Sequence, residues 1–196
     1  MKYVFVDMDG TIAEWGYPDG RISGDYKFGD YLGKHPIDDV IAEIYNAYSS
    51  SQDNQEKYII IVVSAVPNSK AVMEKNIWLD NFFNVPSSNR IFIGKEEDKI
   101  DIIDFYMKNI AGLEPKGNSI LIDDRKDWLL KGKDIGMEVY HPTKIIASFQ
   151  NRMLELQKQE QQEQKEPNEP AIQSEQQNTE NVSGEDLADN TNITQE

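Results

Sequence analysis

The alternation of short apolar runs with segments of helical periodicity constrains the fold of this chain more than any other feature. Residues 58–63 form a continuous, largely β-branched run, which is typical of a strand buried on both faces. Further strands are predicted at 3–6, 90–93, 119–122 and 137–140. Helices are predicted at 37–48, 68–82, 99–110, 127–135 and from Thr143 onward. This order predicts an α/β fold of three layers, with a mostly parallel five-stranded sheet between helices.

Within the helices, apolar spacing predicts the side chains that enter the core. In the helices predicted at 68–82 and 99–110 these are Val72, Trp78, Leu79, Phe82, Ile100, Ile103, Phe105, Tyr106 and Ile110. Trp128 is also expected to be a core residue rather than a ligand contact.

The C-terminal segment 156–196 differs in composition from the rest of the chain. It is rich in Gln and Glu and has no aromatic residue, so it cannot bury enough apolar surface to offset the entropy of ordering. We therefore expect a domain at 1–155 and a disordered, acidic tail. The tail is either an arm for a partner that the sequence does not identify or a solvating segment.

Charge and composition exclude several classes of function. The formal charge is −15, of which −9 falls on 155–196, so the domain keeps −6 and lacks the basic surface of a general nucleic-acid binder. The absence of cysteine excludes disulfides, thiolate metal sites and a cysteine nucleophile. No apolar run approaches the roughly 20 residues that span a bilayer, so we expect a cytoplasmic protein without a membrane partner.

Polar residues follow the predicted strands at their carboxyl ends, where ligands bind in parallel α/β sheets. These residues are Asp7, Asp9, Ser64, Asp123 and Asp124, with Lys99 after a short loop. A cluster of acids is costly unless a cation lies among them. Because the ligands are oxygens, without nearby His or Cys, the sequence predicts a Mg²⁺ site formed by Asp7, Asp9, Asp123 and Asp124.

The same residues suit phosphoryl transfer. Asp7 is the predicted nucleophile, and Asp9 the acid that protonates the leaving oxygen and the base that then activates water. Gly10 permits a turn that brings main-chain N–H groups near a phosphate. The remaining predicted substrate-binding positions are Met8, Ser64, Ala65 and Lys99. Lys95 competes with Lys99 for the role of neutralising the phosphate, and Arg125 either pairs with Asp123 or Asp124 or reaches the substrate.

Asp7-Met8-Asp9-Gly10-Thr11, the strand ending in Ser64, Lys99, and Ile122-Asp123-Asp124 resemble, in order and spacing, the four motifs of the haloacid dehalogenase (HAD) superfamily. The resemblance covers 1–142. It implies a Rossmann-like sheet in the order 3-2-1-4-5. It also implies magnesium held by Asp7, the main-chain carbonyl of Asp9 and Asp123, with Asp124 orienting a metal-bound water or sharing the metal.

Within that superfamily, residues 7–14, 75–79 and 121–125 resemble the cytosolic 5′(3′)-deoxyribonucleotidase group and its small bacterial and phage relatives. The Asp-Asp-Arg segment and the Trp after the serine strand also resemble polynucleotide 3′-phosphatases.

The insertion at 12–35 is too short for a large helical cap, and its glycines predict a turn or hairpin flap. The flap is rich in aromatic residues. Either these rings, Trp15 first, stack a nucleobase, or they anchor the flap to the domain.

Together these features predict a magnesium-dependent phosphomonoesterase that acts on a small phosphorylated substrate, most plausibly a 5′-nucleotidase of (deoxy)ribonucleoside monophosphates. The alternatives are a polynucleotide 3′-phosphatase, which the domain charge disfavours, another small-metabolite phosphatase, and a non-catalytic protein that binds a phosphorylated ligand.

Overall fold

The computed structural model describes residues 1–21, 24–48, 57–147 and 151. The strands are β1 (Lys2–Val6), β2 (Tyr58–Val66), β3 (Arg90–Gly94), β4 (Ser119–Ile122) and β5 (Glu138–Tyr140). The helices are α1 (Asp38–Tyr48), α2 (Ser69–Phe82), α3 (Lys99–Tyr106) and α4 (Lys126–Asp134). A 3₁₀ turn at Ser87–Asn89 precedes β3, a π-helical turn at Met107–Ala111 follows α3, and a further helix occupies 142–147.

The strands form one parallel sheet in the order β3-β2-β1-β4-β5. The predicted fold class and strand order are therefore confirmed. β1 lies at the centre, and Val6 is in register with Val62 of β2 and Ile122 of β4. The carboxyl end of β1 consequently lies between the corresponding positions of both neighbours.

Alternating side chains of β1 explain the three layers. Val4 and Val6 are fully buried in a cluster on one face that includes Trp78 of α2. Phe5 is fully buried in the cluster on the other face, together with Ile103 of α3. Each fully buried apolar side chain contributes about 1.5–3 kcal/mol relative to exposure, so the central strand is anchored from both sides.

Side-chain caps fix where two helices begin. Asn68 accepts hydrogen bonds from the main-chain N–H groups of Lys70 and Ala71 at the start of α2. Asp98 accepts from those of Ile100 and Asp101 at the start of α3. The second cap makes Lys99 the first residue of α3.

The prediction that Phe82, Phe105 and Ile110 enter the core was wrong. Phe105 is 59% exposed, because the buried stripe of α3 runs through Ile103 and Met107 on the opposite face. Ile110 is 64% exposed because it lies in the π-helical turn at Met107–Ala111, where the spacing of a regular α-helix no longer holds. Phe82 is 42% exposed, since α2 ends there and the next residue, Phe83, enters the core instead.

The insertion at 12–35 has no helix in its described residues, 12–21 and 24–35, and consists of turns with isolated bridges from Ala13 to Asp9 and Pro36. These residues do not include the strands of a hairpin, which was one of the predicted forms. The predicted tail at 156–196 lies outside the described residues. In the described part of the chain, no helix is long and apolar enough to cross a membrane.

Candidate active site

Asp7 is held at the carboxyl end of the central strand. Its main-chain N–H donates to the Ile122 carbonyl at 2.9 Å, which extends the β1–β4 pairing by one residue. The residue is only 7% exposed. The strand end therefore fixes the position of this carboxylate.

Lys99 joins Asp7 to the fourth strand. Its Nζ donates to Asp7 Oδ1 and to Asp123 Oδ2, both at 2.6 Å, and the lysine is buried. Lys95 is exposed, although it lines a cavity that Asp7 and Lys99 also line. Of the two lysines that the sequence left open, the structure brings Lys99 to Asp7.

Burial dominates the titration of the acids here. The pKa of Asp7 is raised to about 6: burial has the largest effect, the positive charge of Lys99 opposes it, and the negative charges of Asp123 and Asp9 add to it. Burial also raises the pKa values of Asp123 and Asp124, again against the effect of Lys99. One lysine therefore does not offset the cost of ionising these carboxyl groups together.

The residues fit a divalent cation. Carboxylate oxygens of Asp7, Asp123 and Asp124 lie within 4.8 Å of one another. Oδ1 of Asp124 is buried without a hydrogen-bond partner among the described residues. An all-oxygen set with an unpartnered buried acceptor is the chemistry that Mg²⁺ prefers. The carboxylate of Asp9 is not part of this cluster, so Asp9 would contribute to such a site only through its main chain.

The loop after Asp7 packs tightly against Asp124. Gly10 has φ +83°, and a Cβ there would clash with the Asp124 carboxylate. Thr11 Oγ1 accepts from the Asp124 N–H at 3.1 Å and lies 3.5 Å from Asp7 Oδ2 as a donor. Met8 is fully buried in the core, so its side chain does not take the predicted substrate-binding position. Any contact from Met8 would come from its main chain.

Asp9 is engaged at both carboxylate oxygens by lysines. Lys34 Nζ lies 3.0 Å from Oδ1 as an ion pair, and Lys75 Nζ donates to Oδ2 at 2.5 Å. Although burial opposes ionisation, the charges of Lys75 and then Lys34 leave the pKa of Asp9 below its usual value. With Lys99, these lysines offset all but one of the four aspartate charges of the site.

Lys75 also contacts Ser64, the predicted substrate-binding serine. Ser64 lies within β2, one residue beyond the predicted strand, and is fully buried. Its Oγ accepts from Lys75 Nζ at 2.7 Å, and the Ala65 carbonyl accepts from the same atom at 2.9 Å. Ser64 therefore contacts Lys75, whereas Ala65 lines the cavity beside Asp7.

Two cavities meet at Asp9 and Trp15. The Asp7 cavity is lined by Asp7, Asp9, Trp15, Ala65, Ile93, Lys95, Glu97, Lys99, Asp124, Arg125 and Trp128. The flap cavity is lined by Asp9, Trp15, Gly16, Tyr17, Tyr31 and Lys34. Trp15 is 64% exposed, so its ring remains available to a ligand.

Arg125 and Trp128 line the Asp7 cavity. The Arg125 guanidinium pairs with Asp127, rather than with either acid of the predicted pair, and lies over the Trp128 ring at 4.9 Å. Trp128 is only partly buried, so the expectation of a core residue holds only in part. The main-chain N–H of Arg125 donates to Asp123 Oδ1 at 2.9 Å.

Sequence reasoning missed the contacts of Lys34 and Lys75 with Asp9, and also the buried Glu74 next to Lys75. Glu74 and Lys75 both lie between Ala71 and Trp78 on the buried stripe of α2. A charge on an apolar stripe was the available signal for both residues. No comparable pattern surrounds Lys34.

Comparisons with known proteins support the fold. No protein-family model matches the chain. No curated protein matches it either. A chain of the Pnkp1/Rnl/Hen1 RNA repair complex is similar with a TM-score of 0.50 and 16% identity, over 71% of this chain and 42% of that one. The match thus spans less than half of the other protein's length and shows a shared α/β fold.

A D,D-heptose 1,7-bisphosphate phosphatase from Burkholderia thailandensis has a TM-score of 0.42 and 14% identity, over 76% of this chain and 85% of its own. At that score the likeness supports no inference. The class that fold and site define is thus an α/β protein with a Rossmann-like parallel sheet and a carboxylate-rich site at its central strand.

Proposed function

We propose that this chain is a magnesium-dependent phosphomonoesterase that works through an aspartyl-phosphate on Asp7. The observation that carries the proposal is the buried Asp7 carboxylate, with Lys99 at 2.6 Å, in a cavity that Asp9 and Asp124 also line. A carboxylate held at a strand end is a suitable nucleophile, and the lysine supplies positive charge for the phosphoryl oxygens.

The proposed reaction has two steps. An Asp7 oxygen attacks phosphorus, the bond from phosphorus to the leaving oxygen breaks, and that oxygen takes a proton from Asp9. Because Lys75 and Lys34 hold the pKa of Asp9 below its usual value in the free protein, Asp9 must take up this proton from solvent when the anionic phosphate binds beside it. Asp9 then takes a proton from water as the water oxygen attacks the aspartyl-phosphate, which releases orthophosphate and restores the Asp7 carboxylate.

Magnesium, held by Asp7, Asp123 and Asp124, would supply further positive charge for the phosphoryl oxygens. Lys99 fixes Asp7 relative to Asp123 by donating to both carboxylates. The Asp124 N–H bond to Thr11 holds the fourth strand against the loop after β1. The chain's own residues thus hold the nucleophile and the acids in one arrangement.

As substrate we propose a nucleoside monophosphate. Trp15, whose ring is largely exposed, lines the flap cavity beside Asp9, where a leaving group would lie. The other two aromatic residues of that cavity hold the flap instead, since Tyr31 is buried and the Arg21 guanidinium lies 4.4 Å over the Tyr17 ring. The exposed face of Trp15 suits a nucleobase, since every base has a π-face to stack.

The test is release of phosphate from 4-nitrophenyl phosphate and from a panel of nucleotides and sugar phosphates, with magnesium and with a chelator. Asp7→Asn should abolish turnover, whereas Asp127→Asn, an exposed aspartate paired with Arg125, should not. Full activity of Asp7→Asn would refute the nucleophile. Tight nucleotide binding without turnover would point instead to a non-catalytic phosphate-ligand-binding protein.

A second candidate is a polynucleotide 3′-phosphatase. Lys95 and Arg125 are exposed at the cavity that holds Asp7, where they would face the phosphates of a strand. The fold likeness to a chain of an RNA repair complex is compatible with this reading. Faster turnover of a 3′-phosphorylated oligonucleotide than of any deoxynucleoside monophosphate would favour it.

A further inference from the structure

The orientation of Asp9 depends on two elements that are distant in sequence. Lys75 comes from α2, whereas Lys34 comes from the end of the flap, and each contacts a different oxygen of the carboxylate. A carboxylate held at both oxygens has little freedom to rotate. The flap therefore contributes directly to the geometry of the residue that handles protons in the proposed reaction.

α2 holds the flap through Glu74. This glutamate is fully buried. Its Oε1 accepts from Tyr26 Oη at 2.7 Å and from the Gly29 N–H at 2.6 Å, and its Oε2 accepts from the Tyr31 N–H at 3.0 Å. Hydrogen bonds to a buried charged acceptor are among the stronger ones, so Glu74 fixes the main chain of this part of the flap.

Trp78 holds the flap one helical turn further along α2. Its Nε1 donates to the Lys34 carbonyl at 2.8 Å. Residues four apart lie on the same face of a helix, so Glu74 and Trp78 hold the main chain at Gly29, Tyr31 and Lys34 from one surface.

The contacts of the Lys34 side chain fix the position of its ammonium group. It is only 4% exposed, and its Nζ donates to the Glu14 carbonyl at 3.1 Å as well as pairing with Asp9. The Tyr17 and Tyr31 rings lie 5.5 and 5.7 Å from the same atom. Fixing the Lys34 main chain on α2 therefore fixes the charge that meets Asp9.

We infer that Glu74 is a positioning residue that acts through the flap and Lys34 to orient Asp9 toward the leaving group. This inference rests on the proposed function. A general acid must lie within about 2.6–3.2 Å of the atom that it protonates, and such proton transfer contributes about 10²–10⁴-fold to a rate. Loss of orientation should therefore appear in the reactions that most need a proton.

Two substrates whose leaving groups differ in their need for a proton distinguish this positioning role from a merely structural one. The oxygen of glycerol phosphate needs a proton as its bond to phosphorus breaks, whereas 4-nitrophenolate leaves as a stable anion. In Lys34→Met and Glu74→Gln, kcat for glycerol phosphate should fall about tenfold or more beyond any fall for 4-nitrophenyl phosphate. Lys34→Arg, which keeps the charge, should restore much of the difference.

Matched controls come from the same elements. Lys27 is a flap lysine whose side chain is 64% exposed and pairs with Asp19, so Lys27→Met should leave the ratio of the two rates unchanged. Asp80 is an α2 carboxylate that pairs with Arg90, so Asp80→Asn should do the same. Thermal melting of each variant shows whether it folds, and Glu74→Gln, which keeps the size of the side chain, serves if Lys34→Met does not.

Failure of this inference can be distinguished from failure of the proposed phosphomonoesterase function. If the wild-type chain hydrolyses neither substrate and releases no phosphate from the nucleotide panel, the proposed function fails and the inference fails with it. If the wild-type chain hydrolyses both and the folded variants slow both equally, or slow neither, only the inference is overturned.

Discussion

Gly10 and Asp124 approach each other so closely that any Cβ at Gly10 would enter the space of the Asp124 carboxylate. The contact joins the loop after β1 to the end of β4, and it depends on a glycine with φ +83°. The turn that brings main-chain groups toward the nucleophile is therefore built against one of the three clustered acids.

We expect Gly10→Ala to raise the magnesium concentration needed for half-maximal activity, because the new methyl group must displace Asp124. It should also cost about 1 kcal/mol or more of stability, from strain at positive φ. Gly117→Ala is the control, since Gly117 has φ +74° and open space around it, and so isolates the backbone strain. Equal metal dependence of the two variants would contradict the role of the contact.

Lys99→Met should lower kcat by about 10²-fold or more, because a positive charge beside the reacting group is lost. Asp7 and Asp123 would also lose the cation that they share. Lys95→Met, which changes an exposed lysine of the same cavity, should change kcat only a few-fold. Steady-state rates with 4-nitrophenyl phosphate measure kcat for both variants. A larger loss for Lys95→Met than for Lys99→Met would assign the phosphate-neutralising role to Lys95 instead.

Magnesium should stabilise the protein, because a ligand that binds the folded chain and not the unfolded one adds about 2.7 kcal/mol at one hundred times its Kd. The rise in Tm with magnesium should be much reduced in Asp124→Asn, which alters the acid with the unpartnered buried oxygen. It should persist in Asp127→Asn, whose carboxylate pairs with Arg125. Undiminished stabilisation of Asp124→Asn would place the metal elsewhere.

In the metal-free protein, ionisation of the buried Asp7 carboxyl should lower the free energy of unfolding. Because burial raises the pKa of Asp7 to about 6 from 3.8, the folded state binds the proton more tightly than the unfolded state. This contribution to stability is present below pH 4 and is lost as the pH rises through about 6. In a chelator, Asp7→Asn should therefore gain stability over the wild type at pH 7 that disappears at pH 4.

Two pKa units correspond to about 2.7 kcal/mol, so the gain for Asp7→Asn should be about 1–3 kcal/mol. Denaturant unfolding at the two pH values measures it, with Asp127→Asn as the control. A gain that is the same at both pH values would show that the burial of the Asp7 charge is not its cause.

The arrangement of strands was readable in the sequence because each strand carries a local pattern. The buried run of β2 and the runs of β1 and β4 were predicted within a few residues of their observed ends. Parallel pairing then brings Asp7 and Asp123 to one edge, because the strands that precede them are neighbours in register. The convergence of the acids thus followed from local patterns combined with a general rule of topology.

Contacts that depend on the path of an irregular segment could not be predicted from the sequence. The flap has no periodicity, so nothing in the sequence indicated that Lys34 would return to Asp9. Lys75 was visible as a charge on an apolar stripe and as the first residue of the stretch 75–79, but its contact with Ser64 depends on how α2 packs on β2. Phe105 was misassigned for a related reason, since the face of a helix that meets the sheet is set by packing.

The sequence by itself therefore determined the sheet and the identity of the acids at its edge, because hydrophobic periodicity and strand order are local and repetitive properties. Only the tertiary structure decided that Lys99 lies beside Asp7 and that Lys34 and Lys75 hold Asp9. These ion pairs join residues far apart in the chain, and their geometry is set by the packing of α2, α3 and the flap onto the sheet.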